Sequence, residues 1–138
     1  MKRLNWIGIV VAVVLASFLA LWYAGGAPAQ QTGAKRTVLT QMDLSGIPGH
    51  EGVMVVTELA PGAKEPRHTH PGDLFAYVLE GTITVSMEGK PSATVKQGEV
   101  FIVPAGTVHS GENTGKTPVK VLVTFVVEKG KPLTTPVQ

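Results

Sequence analysis

After residue 30 the chain carries no sustained helical period, and turn residues interrupt it every few positions. Pro61-Gly62, Pro71-Gly72, Glu80-Gly81, Gly89-Lys90-Pro91, Gln97-Gly98, Pro104-Ala105-Gly106 and Thr114-Gly115 leave segments too short for helices. Between these breaks, apolar residues recur at every second position. Val119, Val121, Val123, Phe125 and Val127 alternate with Lys120, Leu122, Thr124, Val126 and Glu128, and Ile83, Val85 and Met87 alternate with polar neighbours. Successive side chains on a strand point to opposite faces, so this period predicts strands with one face turned to a core. Strands are expected over 37–43, 52–60, 73–80, 82–88, 92–96, 99–103, 108–113 and 119–128, with Lys131–Gln138 as a frayed tail. Many short strands with Gly/Pro punctuation predict an all-β sandwich or barrel.

Residues 1–30 follow a different grammar. Lys2 and Arg3 precede an uncharged apolar run from Trp6 to Ala24, followed by Gly25-Gly26-Ala27-Pro28-Ala29-Gln30. A positive start, an apolar stretch and a small-x-small site predict a signal peptide cut after Ala29. The run of about 19 residues also approaches the roughly 20 that span a bilayer as a helix, so an uncleaved N-terminal anchor is the alternative. In both cases Lys2 and Arg3 stay cytoplasmic and the folded part is exported, periplasmic or secreted, or tethered to the inner membrane through residues 6–24. Residues 30–36 read as a polar tether and 37–138 as the domain.

Charge and cysteine narrow the function classes. The full chain of 138 residues has 12 Lys+Arg against 10 Asp+Glu. Removing Lys2 and Arg3 leaves ten of each sign, too even a balance for a nucleic-acid partner. The absence of Cys excludes disulfides, zinc ribbons and thiol nucleophiles.

Three of the four His residues stand in two compact clusters: His68 and His70 within Arg67-His68-Thr69-His70, and His109 after Pro104-Ala105-Gly106-Thr107-Val108. Residues i and i+2 of a strand share a face, so two imidazoles can converge on one ion, and a third at another strand start closes a facial set. Neutral imidazole suits Zn, Cu, Fe and Ni. His50, after Gly49, reads as a surface residue.

The segments GAKEPRHTHPGDLFAYVLEG and GEVFIVPAGTVHSGEN resemble the two motifs of the cupin superfamily. Gly62, His68, His70 and Gly81 fall in register with the first motif, and Gly98, Pro104, Gly106, His109 and Asn113 with the second. The resemblance covers about residues 50–128. It implies a small double-stranded β-helix, or jelly-roll barrel, with a metal inside one end and His68, His70 and His109 as its ligands. Gly62, Gly81, Gly98 and Gly106 would serve turns needing positive φ, Pro104 a rigid loop, and Asn113 a tie from its hairpin to backbone.

The chain departs from the pattern at one position. The first motif's Glu ligand should fall at Leu74, which shares the parity of the His pair and is expected to face the pocket. Asp73, beside it, is a further candidate ligand if Pro71-Gly72 re-aims it. Strand 73–80 is apolar on both faces, with Phe75, Tyr77 and Leu79 opposite Leu74, which predicts cover by a second subunit in a homodimer. Three neutral His leave a divalent ion its full charge, favouring a chelating anionic oxygen pair such as an enolate or catechol. Fe(II) is the first expectation, with Zn, Mn, Ni or Cu as alternatives. The resemblance thus implies a dioxygenase-type enzyme acting on a small chelating organic substrate. The alternatives are a non-enzymatic metal- or small-ligand-binding module and a metal-assisted isomerase or hydrolase. Glu65 and Glu112 read as solvated loop charges, which leaves no acid/base pair in view.

Overall fold

The computed structural model describes residues 33–138. The expected signal or anchor segment at 1–29, and the first residues of the tether, lie outside the described residues.

The described chain forms ten strands: β1 (Ala34–Asp43), β2 (His50–Leu59), β3 (Lys64–Thr69), β4 (Asp73–Glu80), β5 (Thr82–Met87), β6 (Ala93–Lys96), β7 (Val100–Val103), β8 (His109–Glu112), β9 (Val119–Glu128) and β10 (Thr135–Pro136). They build two five-stranded sheets, one in the order β1-β2-β9-β4-β7 and the other β10-β3-β8-β5-β6, with antiparallel pairing throughout. Among the described residues no helix forms. The chain therefore has the all-β double-stranded β-helix fold.

The period of two translates directly into burial. Val119, Val121, Val123, Phe125 and Val127 all point inward, and β2 buries Val53, Val55, Thr57 and Leu59 in the same alternation. These faces meet Leu74, Ala76 and Val78 of β4 and Ile83 and Val85 of β5 in one core. Each inward Val or Leu contributes about 1.5–3 kcal/mol relative to exposure, so the core, with no disulfide, carries the fold.

Three boundaries differ from the sequence reading. β1 starts at Ala34, so Ala34, Lys35 and Arg36 pair with Leu59, Glu58 and Thr57 as part of a strand. β3 has no alternating pattern and holds Pro66, yet it pairs with β8, with a register shift between Glu65 and His68 that accommodates the proline. The C-terminal segment is also no frayed tail. Thr135 and Pro136 pair with Thr69 and His68, and Val137 N donates to Arg67 O at 3.0 Å.

Motif residues hold the turns around the site. Gly81 lies at φ 77, and a Cβ there would approach Pro118 O to 2.7 Å. Gly62, Gly98 and Gly106 also have positive φ. Asn113 is completely buried. Its Nδ2 donates to Leu59 O at 3.0 Å and Thr117 O at 2.8 Å, while its Oδ1 accepts from Gly115 N at 3.0 Å. One side chain thus ties together the end of β2, the β8–β9 turn and its own hairpin.

Candidate metal centre

The strand pairing brings the three motif imidazoles together. His68 of β3 stands directly opposite His109 of β8, and His70 follows two residues after His68. All three are buried, with ring centroids 4.3–4.8 Å apart, and their candidate ligand atoms lie within 4.8 Å of one another.

Backbone carbonyls orient each ring. His68 Nδ1 bonds Pro66 O at 2.6 Å, His70 Nδ1 bonds Leu133 O at 2.5 Å and His109 Nδ1 bonds Thr107 O at 3.0 Å. A carbonyl oxygen can only accept, so each Nδ1 carries the proton and each Nε2 keeps a free lone pair. Hydrogen-bonding the far nitrogen is how metal-binding histidines are held in one tautomer. Burial away from water lowers the His70 pKa to about 4, against the opposing pull of Leu133 O, and lowers that of His109 in the same way. His70 and His109 are therefore neutral and ready to ligate at ordinary pH. The three-imidazole set fits a divalent transition ion, and the cluster is able to hold one.

Leu74 is buried and lines the chamber with the three His, so an apolar side chain stands where the first motif has its Glu. Asp73, weighed as a further ligand, is exposed on the other face of β4 and stays outside the cluster. Its Oδ1 accepts from Ala105 N at 3.0 Å. Parity holds because β4 is straight at this point, pairing residue for residue with β7 and β9. Asp73 thus anchors the Pro104–Gly106 loop, which is also held by Gly106 N donating to His70 O at 2.9 Å. His50 is partly exposed at the start of β2, its Nδ1 3.3 Å from Pro48 O.

Sequence reasoning missed the orienting carbonyls and two charged side chains. The carbonyls of Pro66, Thr107 and Leu133 carry no side-chain signal. Glu65, read as a solvated charge, faces the interior: it pairs with Gly111 in register and shares the inward face of His109, two residues along β8. The register shift in β3 re-phases it, because three residues separate Glu65 from His68 where two separate Gly111 from His109. Gly111 also makes room, since a Cβ there would lie 3.5 Å from Glu65 Oε2 and 3.2 Å from Ile83. Arg36, across from buried Thr57 on β1, reaches from the other sheet to bond Glu65, Nη2 to Oε1 at 2.6 Å.

The free space around the imidazoles is about 30 Å³, walled by Leu74, Ile83, Val121 and Phe125 among others. That suffices for one or two waters or ligand oxygens and little more. A vestibule of about 300 Å³ adjoins it, lined by Ala34, Arg36, Glu65, Pro66, Arg67 and His68 and closed by the C-terminal segment. Arg36, Glu65 and His68 line both spaces.

The chain is similar to known proteins in sequence and in fold. A family model described as "Cupin domain" matches residues 55–125. Germin-like protein 1 of Brassica napus is 34% identical over 108 residues, covering 72% of this chain and 52% of that protein. The chain spans about half the length of the germin-like proteins it matches. A recombinant oxalate oxidase solved in complex with glycolate superposes with a TM-score of 0.62 at 26% identity, covering 80% of this chain and 58% of that one. A cupin superfamily protein from Desulfitobacterium hafniense superposes with a TM-score of 0.58 at 19% identity, over 74% of this chain and 84% of that one, which supports the fold.

Proposed function

Because this chain belongs to the cupin family, we propose that it is an exported metal-binding cupin acting as a dioxygenase-type enzyme on a small chelating organic substrate. One observation carries the reading: three buried, backbone-oriented imidazoles converge in a chamber where Leu74 replaces the motif's carboxylate.

His68, His70 and His109 hold the ion through Nε2, with Fe(II) first among Fe, Zn, Mn, Ni and Cu. A bound divalent ion there would supply Lewis acidity and, as iron, a route for electrons to O2. The chain's own groups do the rest. The carbonyls of Pro66, Thr107 and Leu133 fix the ring planes, and Leu74 and Phe125 exclude bulk water. Leu74 leaves open the coordination position that a carboxylate would fill, so a substrate oxygen pair has somewhere to bind.

The test is metal content followed by chemistry. The full chain should bind about one divalent ion, and His68→Ala or His109→Ala should abolish it; variants that bind like the parent refute the ligand assignment. The iron-loaded protein should consume O2 with a β-diketone, a flavonol or a thiol. Zinc as the tightly held native ion, with no oxygen uptake by an iron-loaded form, would refute the dioxygenase reading. A homodimer belongs to the same proposal. Phe75, Tyr77, Val100 and Ile102 form an apolar patch on the outer face of β4 and β7, each more than 40% exposed. Sedimentation should give twice the monomer mass, and Tyr77→Lys with Ile102→Lys should halve it.

A further inference from the structure

The chamber is apolar apart from its imidazoles, a Ser and a Thr, except for one ion pair. Arg36 comes from the first sheet and Glu65 from the second, and both line the boundary between chamber and vestibule. The pair is unequal: the Glu65 side chain is 15% exposed, whereas that of Arg36 is 43% exposed and open to the vestibule. Charge there favours an anion. Two guanidinium groups line the vestibule against one carboxylate. Arg67 has a second partner, Glu88, at 3.4 Å, but both are largely exposed and such pairs are weak. Ala34, Pro66 and Pro136 supply apolar wall beside His68 and Thr134.

We infer that Arg36 is the specificity-determining residue of the site and that its ligand is a small organic acid, whose carboxylate takes the place that Glu65 now holds on the guanidinium. The vestibule of about 300 Å³ leaves room for the body of such an acid beside the guanidinium. Glu65 offers Arg36 one oxygen at 2.6 Å. A free carboxylate can engage the guanidinium fork with both oxygens, a stronger and more selective arrangement. The acid's apolar body lies against Pro66 and Pro136. Its far end carries the oxygen pair, since the 30 Å³ chamber admits oxygens and excludes a ring. This placement of the far end rests on the metal reading above; the carboxylate end does not.

The probe is 3-(3,4-dihydroxyphenyl)propionate, compared with its methyl ester by calorimetry on the full chain, metal-free and with one equivalent of Zn2+. In the metal-free protein the acid should bind at least about tenfold more tightly than the ester, the worth of a charge-assisted bond. Arg36→Gln should bring the acid down to the ester's affinity. Glu65→Gln should tighten the acid several-fold by removing the competing carboxylate, a gain that damaged folding cannot produce. Equal binding of acid and ester by the metal-free protein, or weaker acid binding by Glu65→Gln, overturns the inference. Zn2+ should strengthen acid and ester together. If it strengthens neither while their metal-free difference persists, the metal reading falls and the role of Arg36 stands.

Discussion

A chain ending at Pro132 would keep every imidazole yet lose the carbonyl that aims His70. The truncation removes the 2.5 Å bond from His70 Nδ1 to Leu133 O, the pairing of Thr135 and Pro136 with β3, and the bond from Val137 N to Arg67 O. Without an acceptor at Nδ1, the His70 ring can rotate and its proton can move to Nε2, which removes the lone pair. Losing such a partner of a metal-bound histidine typically costs about 10–100-fold in metal affinity, or about 1.4–2.8 kcal/mol. Competition with a chelating dye for Zn2+ reads this directly, and circular dichroism reports whether the sheets persist. Leu133→Ala is the control, because it keeps the carbonyl and should bind within about threefold of the parent. A truncated chain that stays folded and binds zinc as the parent does would refute the idea that the tail orients His70.

Leu74→Glu should tighten Zn2+ binding by adding a charged ligand while destabilising the metal-free form by about 2 kcal/mol or more, from lost leucine burial and a buried acid; the separation between metal-free and metal-loaded melting temperatures should widen. Asn113→Ala strands the carbonyls of Leu59 and Thr117 and the N–H of Gly115, and should cost about 3 kcal/mol in urea denaturation; a loss below 1 kcal/mol would show that these groups find other partners. The metal-free protein should be acid-sensitive in a defined window. Burial holds the His70 pKa at about 4 against 6.5 in the unfolded chain, so the unfolded state takes up the proton first and stability falls from pH 6.5 to 4, by about 3 kcal/mol in all. His109 adds to the loss in the same direction, and a stability flat across that window would contradict the assignment.

The legible parts of this protein were those in which side-chain chemistry repeats with the geometry. β9 and the inner half of β2 announce themselves by alternation, and His68, His70 and His109 by two-residue spacing and glycine-framed motifs. Leu74 followed from the motif's register together with strand parity, and β4 pairs without interruption up to Val78. β3 was hidden by its composition, Lys-Glu-Pro-Arg-His-Thr, and by the register shift that turns Glu65 inward after parity counting places it outside. Arg36 was hidden by distance, since its partner lies 29 residues away. The carbonyls of Pro66, Thr107 and Leu133 belong to the backbone, which every residue shares, and no sequence pattern distinguishes the ones that orient an imidazole.

The bond between His70 and Leu133 spans 63 positions, and it sets an order of events as the protein is made. The imidazoles at 68, 70 and 109 all precede residue 133 in the chain, so the ligand set is present before the carbonyl that orients His70. Loops of this length close late compared with neighbouring strands. A divalent ion that meets His70 already oriented would therefore enter after the C-terminal segment has docked. An exported chain would choose its metal from whatever is present where folding ends, and the cytoplasmic metal pool would have no part in the choice.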